Sequence, residues 1–379
     1  MPVTADKEPS AFALADGRDP IAQAAADNRR FHASAKRELD RYRLRGSEQD
    51  ELLTASGYRA ATERLLASNK RLRKRATELL IAEFGLLRLR SLTTPQVRFW
   101  HFSFLGPIIT EYKPQLDVDA FRQVIYRLLK ATPLNALLSI ELQPLTNYPQ
   151  RGQGRGFLLN AHALTWTDDV AFDAEAAAET MKNSGALHSE LGAATVTCTP
   201  RTLDQGEIEW LGYYLLKAPA DGKRRYHDAD LQRWTLKKVA AVRSDLQLRL
   251  MEILSQLEFT DLVHGIRDGT RLRSSWKKRL SDWNKTTCEG VGQPLERDFD
   301  MAELWQRVRR RESNGSHHYK PIEFFGPRPR PIASERLPRA SGKRLRPHEP
   351  RILNIDPEQA DKHAAADGRP TIRLSIRDM

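Results

Sequence analysis

At 379 residues with a mean hydropathy of -0.59, the chain has room for one or two domains but not for a core that packs all of it, so one folded body with loose ends is expected. A formal net charge of +12 favours a polyanionic partner, nucleic acid first, because each Lys or Arg set against a phosphate releases counterions. Two cysteines, Cys198 and Cys288, exclude a disulfide framework or a Cys-type zinc site; with no leader-like or bilayer-length apolar run, a cytoplasmic protein without a membrane partner is expected.

In chain order, residues 1–28 mix Ala, Asp and Pro with little apolar periodicity and read as a disordered or weakly helical arm. Residues 29–95 read as helical; Leu65, Leu66, Leu72, Leu79 and Leu80 stand among Arg and Lys, the pattern of an amphipathic helix with a solvated basic face. Residues 99–105 (FWHFSFL) are strand-like, and Val118, Phe121, Val124, Ile125, Leu128 and Leu129 recur at helical spacing behind Asp117 as a cap. Residues 137–143 (LLSIELQ) alternate, 144–154 (PLTNYPQRGQG) are rich in turn residues, and 155–168 (RGFLLNAHALTWTD) alternate again, which predicts a hairpin. An Ala- and Glu-rich helix over 172–181, a strand over 194–199 (ATVTCT) and a helix over 204–217 follow.

The order β-α-β-β-α-β followed by a helix predicts an α+β fold, a ferredoxin-like antiparallel sheet with helices on one face and flanking helical segments. Residues 228–257 read as one or two helices, 271–279 (RLRSSWKKR) as a basic segment, and the Pro-, Arg- and Ser-rich text from 326 as a tail that cannot bury a core. The chain is thus divided into an arm (1–28), a helical region (29–95), a ferredoxin-like domain (96–222), a helical subdomain packed on the sheet (223–318) and a basic tail (319–379).

Because side chains alternate sides along a strand, each strand can be split by parity. Trp100, Phe102 and Phe104, Leu138, Ile140 and Leu142, Phe157, Leu159 and Ala161, and Val196 and Cys198 fall on an apolar face. His101 and Ser103, Ser139, Glu141 and Gln143, Asn160 and His162, and Thr195 and Thr197 fall on the other. A carboxylate (Glu141), an amide oxygen (Asn160) and an imidazole (His162), with His101 as a further ligand, suit Mg or Mn better than structural zinc. The plainer reading is a polar face that meets solvent or the C-terminal helices.

On the helix that carries WLGYYLLK (210–217), Ile208, Leu211 and Leu215 make the core stripe, Tyr214 and Lys217 share a neighbouring side, and Tyr213 points nearly away from the core. A tyrosine hydroxyl attacks phosphorus when the phosphate is polarised, and a cation such as Lys217 favours the phenolate or the charged transition state. The plainer reading is two interfacial tyrosines that pack their rings.

Together, the alternating first strand, a Glu on the second strand, a His-x-His-like triplet on the third and a helical Tyr-x-x-Lys resemble the HUH endonuclease superfamily, the rolling-circle replication initiators and relaxases. The resemblance covers residues 99–217. It implies Glu141, Asn160 and His162 at metal-ligand positions, Tyr214 as nucleophile and Lys217 as its companion. It also implies a single-stranded or hairpin DNA substrate, nicked so that the 5′ phosphate stays on the tyrosine and a 3′ hydroxyl is released. The triplet departs from the family at Asn160, which stands where the first His belongs.

The rival expectation is a non-catalytic nucleic-acid-binding module, either a degenerate HUH-like domain or an RNA recognition motif, which shares the β-α-β-β-α-β order. Arg155, Gly156 and Phe157 match the start of that motif's third-strand signature, but Leu159 stands where a second aromatic is wanted and Phe157 falls on the apolar face. Only Phe99 and Trp166 are left to stack bases. In either case Arg271, Arg273, Lys277, Lys278 and Arg279, and the tail over 328–346, are candidates to neutralise phosphates.

Overall fold

The computed structural model describes residues 19–41, 64–94, 96–110, 115–147, 155–189, 193–228, 233–239, 242, 244–289 and 323–324. The basic tail over 328–346 lies outside the described residues, as does the side chain of Cys288. The fold is mixed α+β, with eight helices and nine strands among the described residues.

Two helices come first. Helix α1 is Pro20–Arg41, and α2 is Lys70–Leu92, capped by Asn69, whose side chain accepts from the amides of Arg71 and Leu72. Then come β1 (Arg98–Thr110), β2 (Gln115–Leu116), α3 (Val118–Lys130), β3 (Asn135–Thr146) and β4 (Arg155–Thr167). Next are α4 (Ala174–Asn183), β5 (Val196–Arg201), α5 (Gln205–Leu216), β6 (Gly222–Asp228) and β7 (Arg233–Val239). The remainder is α6 (Ser244–Leu254), α7 (Phe259–Leu262), β8 (Val263–Ile266), α8 (Asp268–Glu289) and β9 (Glu323–Phe324).

Seven strands make one sheet in the order β5-β1-β4-β3-β6-β7, with β8 also paired to β3. The contacts among β5, β1, β4 and β3 are all antiparallel. The far edge of β3 is shared: β8 runs antiparallel along Ala136 to Ser139, and β6 joins in parallel at Leu145 and Thr146. The register sets Ser103 and Ser139 on either side of His162, and Glu141 opposite Asn160.

The parity reading of the strands holds, but the expectation of helices on one face does not. On the apolar face, Phe102, Phe104, Leu138, Ile140, Phe157 and Ala161 join Phe121, Ile125 and Leu129 of α3 and Ala178 and Met181 of α4 in one core. On the other face, Phe99, Leu137, Leu164 and Trp166 join a second core with α2, α5 and α8. Four apolar side chains among the polar ones are enough to seat these helices; each buried Leu or Phe contributes about 1.5–3 kcal/mol. Helix α5 seats Ile208, Leu211 and Leu215 there, and Gly212 lets it approach α2 so closely that a Cβ would collide with Ile81.

Three further expectations are corrected. The N-terminal arm becomes helical at Pro20, and Asp27 and Asn28 are buried; Pro suits the first turn of a helix, and an Ala-rich helix needs little apolar periodicity to form. Part of the expected helix over 228–257 is the hairpin β6–β7, paired from Gly222 with Val239 to Asp228 with Arg233, with Leu236 packed near Leu145 and Leu158. Helix α6 occupies only the second part of that span. Tyr213 is buried rather than turned to solvent, because its hydroxyl donates to Asp27 of α1.

Candidate active site

Beneath the C-terminal end of α5 the structure brings together all six residues singled out on the polar face and its neighbouring helix. His162 sits at the centre, with its side chain 4% exposed. Asn160 Nδ2 lies 2.9 Å from His162 Nε2, and Ser103 Oγ lies 3.0 Å from His162 Nδ1. His101 stacks on His162, with ring centroids 5.3 Å apart and planes at 22°. Glu141 Oε2 lies 3.3 Å from His162 Nε2 and 3.1 Å from Lys217 Nζ.

Tyr214 closes the cluster from above. Its ring meets His162 at 4.5 Å and His101 at 5.4 Å, in both cases steeply inclined, and stacks on Trp210 at 4.4 Å. The Lys217 ammonium stands 3.9 Å from the centre of the Tyr214 ring, within cation–π range. Lys217 is the first residue beyond α5, and its backbone is extended (φ -53, ψ 144). Its carbonyl and that of Leu216 accept from the buried guanidinium of Arg73, at 3.2 and 2.9 Å. Arg73 therefore ties α2 to the turn from which Lys217 projects, and satisfies helix-end carbonyls that lack an intrahelical partner.

Burial alone would push the Glu141 carboxyl up; the Lys217 ammonium, and His162 after it, outweigh burial and hold it down at about 2. Burial lowers His162, with Glu141 pulling the other way, and takes His101 well below the ordinary imidazole range, with the His162 neighbour adding to it. Both rings are therefore neutral at pH 7. Burial raises the Tyr214 hydroxyl while the Lys217 ammonium pulls it back. Burial disfavours the Lys217 charge, but Glu141 and Tyr214 more than compensate, so the ammonium is held.

These groups turn hydrogen-bond donors inward where a divalent ion needs lone pairs. His162 Nε2 already lies against the Asn160 amide and Glu141, and the Glu141 carboxylate against an ammonium. Among the described residues, no group of three His, Cys, Asp or Glu side chains is arranged to hold a metal ion. Of the residues expected to bind Mg or Mn, Glu141 is paired here with the Lys217 ammonium.

Four participants escaped the sequence reading. On its strand Ser103 is one more small polar residue, and on its basic helix Arg73 is one more cation. Trp210 stands out only as part of a motif, and Arg201, 5.8 Å over the Trp210 ring, carries no signal of its own. Their roles appear only once α2, α5, β1 and β5 are brought together.

The basic segment on α8 splits into two groups. Arg273 donates to the carbonyls of Val263 and Thr260, and Arg279 pairs with the buried Glu83 at 3.0 Å, so both hold the fold. Arg271, Lys277 and Lys278 are exposed. No described helix is long and apolar enough to cross a membrane. No family model, curated protein or solved structure matches the chain.

Proposed function

We propose that the chain nicks and rejoins single-stranded DNA through a phosphotyrosine intermediate on Tyr214, as rolling-circle initiators do, and that β1, α3, β3, β4, α4 and β5 form a ferredoxin-like unit carrying that site. The strand order β5-β1-β4-β3, antiparallel throughout, supports the second part. The observation that carries the first is the convergence of Tyr214, His162, Glu141 and Lys217, drawn from three separate elements, on one spot between α5 and the central strands β3 and β4.

In the forward step the Tyr214 oxygen bonds to phosphorus and the bond from phosphorus to the 3′ oxygen breaks. The phenol proton ends on the leaving 3′ oxygen, so atoms and charge balance without an added reactant. Lys217 offsets the negative charge that gathers on the non-bridging oxygens. Rejoining is the reverse, with a 3′ hydroxyl attacking the tyrosine ester.

The rival reading as an RNA recognition motif loses its platform, since Phe99 and Trp166 are 4% and 5% exposed beneath the covering helices. A binder without catalysis is favoured by one observation, the Asn160 amide in the place of an imidazole. The deciding experiment incubates the full chain with hairpin and single-stranded oligonucleotides and looks for a covalent adduct by denaturing gel and mass spectrometry. An adduct on the peptide containing Tyr214, lost in Tyr214→Phe, is expected. Binding without an adduct on any substrate overturns nicking in favour of the binder.

A further inference from the structure

The feature that least resembles a metal-dependent nickase is the position of the Lys217 side chain, which is only 17% exposed and points back under α5 onto the sheet. It is not a surface lysine that drifted inward. The Arg73 guanidinium pins the two carbonyls at the end of α5, and the extended backbone of Lys217 then directs its side chain towards Glu141. A buried carboxylate must find a cation, and here the chain supplies one covalently.

Asn160 fits the same arrangement. Its amide nitrogen, which carries hydrogens and no lone pair to offer a metal, lies 2.9 Å from His162 Nε2, while Ser103 Oγ meets Nδ1 at 3.0 Å. An imidazole at that position would bring a further lone pair and favour a metal. Asn160 and Lys217 are therefore two parts of one exchange, in which donors replace ligands.

We propose that Lys217 is the resident cation of this site: its ammonium stands where a divalent ion would, neutralises Glu141 and receives the phosphodiester together with the Asn160 amide, so that Mg or Mn is not required. This rests on the nicking reading for the identity of the anion, but the cation itself can be tested without DNA.

The probe is Mn²⁺ alone, added to the full chain and followed by thermal melting and by the electron paramagnetic resonance signal of the free ion. The wild type is expected to melt at the same temperature with and without Mn²⁺ and to leave the free-ion signal unchanged. Lys217→Ala exposes Glu141 and is expected to gain a Tm rise of about 5 °C at saturating Mn²⁺. The gain should vanish when Glu141→Gln is added, and Lys217→Arg, which keeps the charge, should show none.

A Tm rise in the wild type that Glu141→Gln removes would overturn the proposal, and so would a folded Lys217→Ala that takes up no Mn²⁺. If Lys217→Ala does not fold, the wild type decides: unchanged melting in Mn²⁺ with undiminished adduct formation in EDTA supports the proposal, and a Mn²⁺-dependent rise refutes it. A chain that forms no adduct under any condition sinks the nicking reading instead, and the Mn²⁺ measurements stand independently of it.

Discussion

Tyr213 donates its hydroxyl to the carboxylate of Asp27, 186 positions earlier in the chain, while its neighbour Tyr214 lies against His162 over the sheet. Two adjacent tyrosines thus have opposite tasks, one tying α5 to α1 and the other facing the site. Tyr213→Phe leaves a buried carboxylate short of a donor and should cost about 1–3 kcal/mol by urea denaturation, with adduct formation retained. Tyr214→Phe should change stability little and abolish the adduct, a loss of at least about a thousandfold.

The Glu141–Lys217 pair should be visible in stability against pH. The folded carboxyl, held at about 2, lies below its ordinary value of 4.5. The stabilisation is therefore fully present above pH 4.5 and is lost as pH falls from there towards 2. Glu141→Gln should remove this dependence and, by leaving the buried ammonium unpaired, cost about 3 kcal/mol at pH 7. Adding Lys217→Met should restore part of that loss, a coupling that a double-mutant cycle reads directly.

Buried imidazoles give a second acid response at higher pH. Burial holds His32 down at about 3 and His264 at about 4, with His101 and His162 also lowered. The unfolded chain takes up these protons first, near pH 6.5, so nothing is lost at pH 7 and stability falls from pH 6.5 downward. Each such histidine contributes a slope of about 1.4 kcal/mol per pH unit until its folded value is reached. Urea midpoints between pH 7 and pH 5 should drop steeply, and His32→Phe should make the slope shallower; an unchanged slope would mean that His32 titrates normally.

What the sequence disclosed and what it withheld have one physical origin. Alternation is a local property of a strand, so the sorting of Phe102, Ile140 and Phe157 from His101, Glu141 and His162 could be read directly. Cover from the C-terminal side, where α8 lies, follows from reading 223–318 as a subdomain packed on the sheet, but cover by α2 could not be read, because that helix precedes the β-α-β-β-α-β stretch. A trace of it was present in Phe99, Leu137, Leu164 and Trp166, apolar residues on a face expected to be wet. Arg73 was hidden for a similar reason: its partners are main-chain carbonyls about 143 positions away, which carry no residue-type signal. The hairpin over 222–239 was obscured by its Lys and Arg content, which reads equally well as the outside of a helix.

The division within the α8 basic segment yields a test of DNA binding. Glu substituted at Arg271, Lys277 and Lys278 should weaken binding to single-stranded DNA uniformly across sequences and flatten the dependence of log K on log salt by roughly 0.7 for each phosphate that is no longer neutralised. Arg273→Ala and Arg279→Ala should instead lower the melting temperature, since their guanidinium groups hold β8, α7 and Glu83. A salt slope indifferent to the first three changes would remove α8 from the DNA surface.

The strand order also bears on self-association. Among the described residues, the main path of the sheet ends on β5 at one margin and on β7 at the other, with β8 branching from β3. On β5, Pro200 has no amide hydrogen to offer a newcomer; on β7, exposed Lys237 and Lys238 set positive charge along the rim. A second copy of the same chain laid alongside would meet a missing donor at one margin and like charge at the other, so both rims are guarded against runaway edge-to-edge growth.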